Sequence, residues 1–152
     1  MLRGPDNLTV DAKGRMPLPS RHRELIQELC QGQLFVTLDR DRCLLIYPKP
    51  VWLEVEAKIT SLPDTNAYAK KLKRLMVGNA TEVELDSANR ILIKPLLRQY
   101  AGIEKKVVLM GQGSKFELWD EARYLQSLDD WGTRDQAEDE AQMTEDIAKL
   151  TW

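Results

Sequence analysis

The feature that most constrains this chain is an internal repeat. The stretch NLTVDAKGRMPLPSRHREL, residues 7–25, lines up with EVELDSANRILIKPLLRQY, residues 82–100, at a constant offset of 75. Asp11, Arg15 and Arg23 then fall on Asp86, Arg90 and Arg98. The match continues with a three-residue shortening in all, QLFVTLDRDRCLLIYPKPVW lying against KVVLMGQGSKFELWDEARY. A repeat decides the fold before any local reading does, because each copy must be the same supersecondary unit. One unit of about 45 residues removes too little surface from water to be comfortably stable alone. The two units are therefore expected to pack together or interlock.

Within each unit the pattern predicts a hairpin, a short helix and a second hairpin. Asn7–Val10 and Met16–Leu18 read as strands around the turn Asp11-Ala12-Lys13-Gly14. Pro19-Ser20 opens a helix running to about Cys30, with Ser20 as its expected cap and Gly32 as its stop. The β-formers of Leu34–Leu38 and Cys43–Tyr47 bracket Asp39-Arg40-Asp41-Arg42, and Val107–Met110 with Lys115–Trp119 repeat this around Gly111-Gln112-Gly113-Ser114. Between the units, apolar residues at helical spacing (Trp52, Val55, Ile59; Tyr68, Leu72, Leu75, Met76) predict helices over Pro50–Ser61 and Ala67–Gly78, broken by Pro63-Asp64. A further helix follows Asp120 to about Leu128. The expected organisation is a first unit over 5–52, a helical connection over 53–80, a second unit over 81–124 and an acidic tail over 125–152.

The net charge of −2 conceals a split. From residue 129 onward, Asp129, Asp130, Asp135, Glu138, Asp139, Glu140, Glu145 and Asp146 outweigh Arg134 and Lys149, a net of −6, so residues 1–128 carry +4. A moderately basic body is compatible with a nucleic-acid partner, since local phosphate-facing charge matters more than the total. The tail, with a weak helical pattern in Met143, Ile147 and Leu150, is expected to be mobile or to dock lightly.

Several function classes find no support. The opening MLRGPDNLTVDAKGR has no apolar run of signal-peptide length and nothing later approaches a bilayer span, so a cytoplasmic location is expected. Cys30 and Cys43 are too few for a disulfide framework and too far apart for a CxxC site; buried free thiols are expected. With His22 as the one histidine, a multi-histidine metal site is impossible; beside Arg21 and Arg23, it is expected to touch phosphate or water. Asp39/Asp41 and Glu138-Asp139-Glu140 lack the ligand alternation and glycine of a calcium loop. Phosphate-binding, nucleophile-elbow, dinucleotide and H-E-x-x-H motifs are all missing, so no catalytic residue, cofactor or small-molecule substrate is expected. Lys70, Lys71, Lys73 and Arg74 read as a solvated helix face, and Tyr47, Trp52, Phe116 and Trp119 as core or subunit-interface packing.

The sharpest motif is D-x-x-x-R at the tip of each first hairpin: Asp11-Ala-Lys-Gly-Arg15 and Asp86-Ser-Ala-Asn-Arg90. Seen once, it reads as an aspartate fixing a turn with a surface arginine as its partner. Its recurrence at equivalent positions, each followed eight residues on by another arginine, points to a shared task in otherwise diverged repeats.

This pattern resembles the AbrB-like, or swapped-hairpin, modules. From Met1 to about Leu128 the chain is similar to the MraZ family, through the two D-x-x-x-R motifs, Tyr47-Pro48-x-Pro50-x-Trp52 and Lys115-Phe116-Glu117-Leu118-Trp119. The resemblance implies an α+β, mainly β fold: two tandem AbrB-like, double-psi-like β units joined and flanked by helices, in a ring-shaped homo-oligomer. It also implies a nucleoid-associated repressor of the division and cell-wall gene cluster, its own operon included, that binds short direct promoter repeats in double-stranded DNA. Carried over, the motif arginines are Arg15 and Arg90 and the following basic position is Arg23; Arg3, Lys13 and Arg21 add charge near the first loop, while Asp11 and Asp86 are structural. Arginine suits either task there, bridging phosphate oxygens or pairing with the O6 and N7 of guanine. The competing reading is a protein-interaction hub or antitoxin-like partner-binding module, for which the helical insert and the acidic tail offer surfaces.

Overall fold

The computed structural model describes residues 1–133 and 136–150. Two compact units are present, Met1–Glu121 and Ala122–Trp152. Both repeats lie in the first.

That unit contains strands β1 (Leu2–Thr9), β2 (Arg15–Pro17), β3 (Gln33–Leu38), β4 (Leu44–Pro48), β5 (Thr81–Glu84), β6 (Arg90–Leu92), β7 (Lys106–Gly113) and β8 (Phe116–Asp120). Helices α1 (Ser20–Cys30), α2 (Lys49–Thr60), α3 (Ala67–Leu72) and α4 (Pro95–Ala101) connect them. A six-stranded antiparallel sheet has the order β1-β7-β8-β4-β3-β5, and β2 pairs with β6 in a separate two-stranded ribbon.

The second hairpins form as the sequence predicts, as β3–β4 and β7–β8. The first hairpins do not. β1 pairs with β7 of the other repeat, β5 pairs with β3 of the other repeat, and the short strands β2 and β6 pair with each other. The turn between β1 and β2 still closes, through Gly14 N–H to the Asp11 carbonyl at 2.9 Å and Asp11 N–H to the Arg15 carbonyl at 2.9 Å. Beyond that rung the strands diverge to partners in the other repeat, and the apolar faces of both repeats join one core.

The exchange obeys a pseudo-twofold. Arg15 faces Leu92, Met16 faces Ile91 and Pro17 faces Arg90, so the axis passes through the Met16–Ile91 pair of the 75-residue repeat. Leu18 N–H donates to the Asn89 carbonyl at 2.9 Å, and Ile93 N–H donates to the Gly14 carbonyl at 2.7 Å. These two bonds are images of each other.

The core lies on one face of the sheet, where Leu34, Val36, Leu44, Ile46, Val107, Leu109, Phe116 and Leu118 meet Met16, Leu18, Ile26, Ile91, Ile93 and Leu97. Across the sheet, Leu45 and Tyr47 pack with Trp52, Ile59 and Met76 of the helical insert. β4 is thus buried on both faces, which explains its uninterrupted apolar run. The helix expected over Ala67–Gly78 changes to a π-helical turn at Lys73–Val77, where the Met76 carbonyl accepts from buried Thr37 Oγ1 at 2.5 Å. Ser20 is the first helical residue of α1 and its side chain makes no cap; Pro19 occupies the cap position.

Cys30 and Cys43 are buried free thiols. Tyr47, Trp52 and Phe116 are buried in the core, with Trp52 stacked on Phe35 at 5.9 Å and tilted against Tyr47 at 5.4 Å.

The second unit holds most of helix α5 (Glu121–Thr133), then α6 (Gln136–Gln142) and α7 (Glu145–Ala148). Within α5, Gln126 Nε2 donates to Asp130 Oδ1 at 3.1 Å. Of the charges counted in the acidic tail, Arg134 and Asp135 lie outside the described residues. Among the described residues, no helix is long and apolar enough to cross a membrane.

Candidate nucleic-acid interface

The ribbon β2–β6 sets the geometry of the site. Alternation places Met16 and Ile91 on its inner face, both fully buried, and Arg15, Pro17, Arg90 and Leu92 on the other. Because Arg15 opposes Leu92 and Arg90 opposes Pro17, the two motif arginines are diagonal neighbours on one face, about 7–8 Å apart at the backbone. Two residues that lie 75 positions apart in the chain therefore form a single cationic pair.

Each arginine is held by its own aspartate in the same way. Asp11 Oδ1 accepts from Lys13 N–H and Arg15 N–H, both at 2.9 Å, and Oδ2 accepts from Arg15 Nε at 3.2 Å. Asp86 Oδ1 accepts from Ala88 N–H and Arg90 N–H, both at 2.9 Å, and Oδ2 accepts from Arg90 Nε at 2.8 Å. The backbone N–H of the motif arginine, reinforced by its charge, holds each carboxyl below the usual carboxylate range despite some desolvation. Both aspartates are therefore ionised near neutral pH and each turn is locked.

The internal contact uses Nε of Arg15 and of Arg90, whereas the Nη nitrogens, with four of the five guanidinium hydrogens, are not part of it. With side chains 30% and 35% exposed, both arginines are anchored at one edge and open at the other. That arrangement suits an external anion better than a freely rotating side chain does, because less rotamer entropy is lost on contact.

The remaining predicted residues divide into two groups. Lys13 is exposed on the first turn, and Arg23 lies half-buried beside the ribbon, its Nε donating to the Leu18 carbonyl at 2.9 Å. Arg3 and Arg21 are elsewhere. Arg21 grips Asp6 through Nε at 3.2 Å and Nη2 at 2.7 Å and donates from Nη1 to the Arg3 carbonyl at 2.8 Å, clasping α1 to the edge strand β1. Six residue steps along an extended strand carry the chain from Arg3 to Thr9, about 20 Å.

His22, expected to touch phosphate or water, instead lies in the core with 4% exposure, edge-on to Phe116 at 5.0 Å and 3.2 Å from Asp6. Helix α1 begins one residue after Pro19, and this phase turns Arg21 outward and His22 inward. Burial and the Arg21 charge lower its pKa, with Asp6 pulling the other way. Lys70, Lys71 and Arg74 are exposed, and Lys73 Nζ is bound to the Leu62 carbonyl and Asp64, as a solvated face requires.

Arg98 is the residue that sequence reasoning passes over, although the repeat aligns it with Arg23. Its Nε donates to the Ile93 carbonyl at 3.0 Å, the image of the Arg23–Leu18 bond. Its guanidinium lies over the first turn: a Cβ built on Gly14 would stand 3.1 Å from both Nε and Nη2 of Arg98.

Comparison with known proteins finds the same twofold repeat. The family described as "MraZ protein, putative antitoxin-like" matches twice, over residues 1–75 and 76–147, the same division as the observed repeat. The chain is 53% identical over 131 residues to the transcriptional regulator MraZ of Thioalkalivibrio sulfidiphilus, covering 86% of this chain and 87% of that protein. It is 52% identical over 132 residues to the protein of the same name from Halorhodospira halophila, with 86% and 87% covered, and 48% identical over 132 residues to that of Coxiella burnetii, again with 86% and 87% covered. The two matched repeats fit tandem AbrB-like units, interlocked here within one polypeptide, and the chain belongs to the MraZ family.

Proposed function

We propose that this protein is a sequence-specific double-stranded-DNA-binding transcription regulator that contacts DNA through the β2–β6 ribbon and its two flanking turns. The observation that carries the reading is the Arg15–Arg90 pair, each arginine locked by its aspartate and both on the one open face of a shared ribbon. A two-stranded ribbon has the width to enter a major groove, and arginine forks there can bridge phosphates or read guanine. Lys13 and Arg23 add charge beside the pair. Arg21 is committed to the β1–α1 clasp through its guanidinium, whereas Arg3 enters it through its carbonyl alone and is exposed.

The targets are short promoter repeats, those of the chain's own operon in the division and cell-wall cluster included, bound by a ring of subunits acting in the cytoplasm at the nucleoid. The two turns of a chain are unequal: the first carries Lys13 and Gly14 where the second carries Ala88 and Asn89. An unequal pair gives each subunit a direction on the duplex, which favours boxes repeated head to tail over palindromes. A ring presenting one ribbon per subunit then gains from effective concentration on tandem boxes.

The test is binding of the purified protein to its own upstream promoter and to a scrambled duplex across a salt series. Selective binding that weakens as salt rises supports the reading, because each neutralised phosphate releases counterions. Equal or absent binding to both duplexes, with a stoichiometric protein co-purifying, would move the antitoxin-like partner-binding module to the front.

A further inference from the structure

We propose that Arg98, contributed by the second repeat, completes the phosphate-binding surface of the first repeat's loop, so that this surface is composite: Lys13 and Arg15 from one repeat, Arg98 from the other. The inference rests on the DNA-binding reading and adds a residue to it. Ile93 N–H holds the Gly14 carbonyl at 2.7 Å, and the Ile93 carbonyl in turn accepts Arg98 Nε at 3.0 Å. The arginine is thereby fixed to the turn that bears Lys13 and Arg15.

Gly14 makes this approach possible. It is buried at φ +86°, and any side chain there would stand 2.7 Å from the Ile93 carbonyl oxygen and 3.1 Å from the guanidinium. The other loop has Asn89 at φ 56° in the equivalent place, so the matching arginine, Arg23, lacks the same bare backbone to lie on.

The charge on Arg98 is uncompensated. Arg15, Arg21 and Arg90 each pair with a carboxylate, whereas among the described residues Arg98 has a carbonyl as its side-chain partner and no carboxylate within ion-pair distance. A neutral donor would satisfy that carbonyl equally well. A half-buried guanidinium lying over Gly14, on the turn that also carries Lys13 and Arg15, is arranged to meet an anion from outside, and a phosphodiester oxygen matches its fork.

Arg98→Gln tests this, compared with the parent protein on the chain's own promoter duplex from about 50 to 200 mM salt. Loss of one phosphate contact lowers the slope of log affinity against log salt by about 0.9, so the fourfold rise in salt costs the variant about 3.5-fold less than the parent. Low-salt affinity falls on both the promoter and the scrambled duplex by a similar factor, because a phosphate contact carries no sequence information. A purely structural role predicts a lower melting temperature with the slope unchanged, and that result overturns the proposal. If Arg98→Gln does not fold, Arg98→Lys decides: a single-point ammonium keeps the slope but weakens binding, and affinity equal to the parent's overturns the proposal. A parent protein that binds neither duplex sinks the DNA-binding reading itself, a result separable from a normal parent with an indistinguishable Arg98 variant.

Discussion

Gly14→Ala is the most informative single change in the fold, since the position is set by three contacts at once. Its φ of +86° lies in the left-handed region, where an L side chain costs about 1–2 kcal/mol. The new Cβ would stand 2.7 Å from the Ile93 carbonyl oxygen, so the backbone must move, and the 2.7 Å bond from Ile93 N–H to the Gly14 carbonyl lengthens at a cost of about 1 kcal/mol. Together these predict a loss of about 2–3 kcal/mol, or a fall of about 5–10 °C in melting temperature for a chain of this size. The pseudo-symmetric position is occupied by Asn89 at φ 56°, which shows that asparagine fits such a turn. Gly14→Asn should therefore cost about 1 kcal/mol less than Gly14→Ala. Urea denaturation at fixed protein concentration measures all three proteins. An alanine variant within about 0.5 kcal/mol of the parent, below the cost of a left-handed alanine, would refute the geometric argument.

Replacing Arg15 or Arg90 by Ala should weaken promoter binding sharply, by about 1–3 kcal/mol where the fork reads a base, while circular dichroism and oligomer size stay unchanged; parent-like affinity in both variants would defeat the assignment. Trp52→Ala removes a fully buried ring stacked on Phe35 and tilted against Tyr47 and should cost about 3–5 kcal/mol in denaturant unfolding, placing the helical insert within the cooperative fold; a loss under 1 kcal/mol would show that it unfolds separately. His22 has its pKa lowered in the folded state by burial and by Arg21, so the unfolded chain binds the proton more readily. Its contribution to stability is present above the ordinary histidine value of 6.5 and is lost as pH falls through the lower folded value. His22→Leu should flatten the stability profile just below pH 6.5, and an unchanged profile there counts against this account.

Much of the local structure was legible because it depends on neighbouring residues. Pro19 marks the start of α1 and Gly32 its end, while the helix expected from Pro50 begins one residue earlier, at Lys49, with Pro48 at its cap. The β3–β4 and β7–β8 hairpins follow from β-formers flanking polar turns, and the aspartate–arginine turn pair follows from a spacing of four across a tight reversal. His22 was misread because its flanking charges suggested exposure, whereas the phase of α1 determines which of three consecutive residues faces Phe116. Arg3 and Arg21 were grouped with the loop by nearness in sequence, although an extended strand carries Arg3 about 20 Å from Thr9.

By itself the sequence determined that one module occurs twice, that each copy carries an aspartate and an arginine four apart at a tight turn, and that a unit of this size is not comfortably stable alone. Tertiary structure decided how the copies share their strands: β1 crosses to β7, β5 to β3, and β2 meets β6. The physical reason is that turn chemistry and alternation act over a few residues and are identical for a closed hairpin and an exchanged one. Choosing between them depends on the apolar area buried by the whole assembly. The same choice brings Arg15 beside Arg90 and lays Arg98 over Gly14, so the proposed binding surface is a property of the interlock and of neither repeat alone.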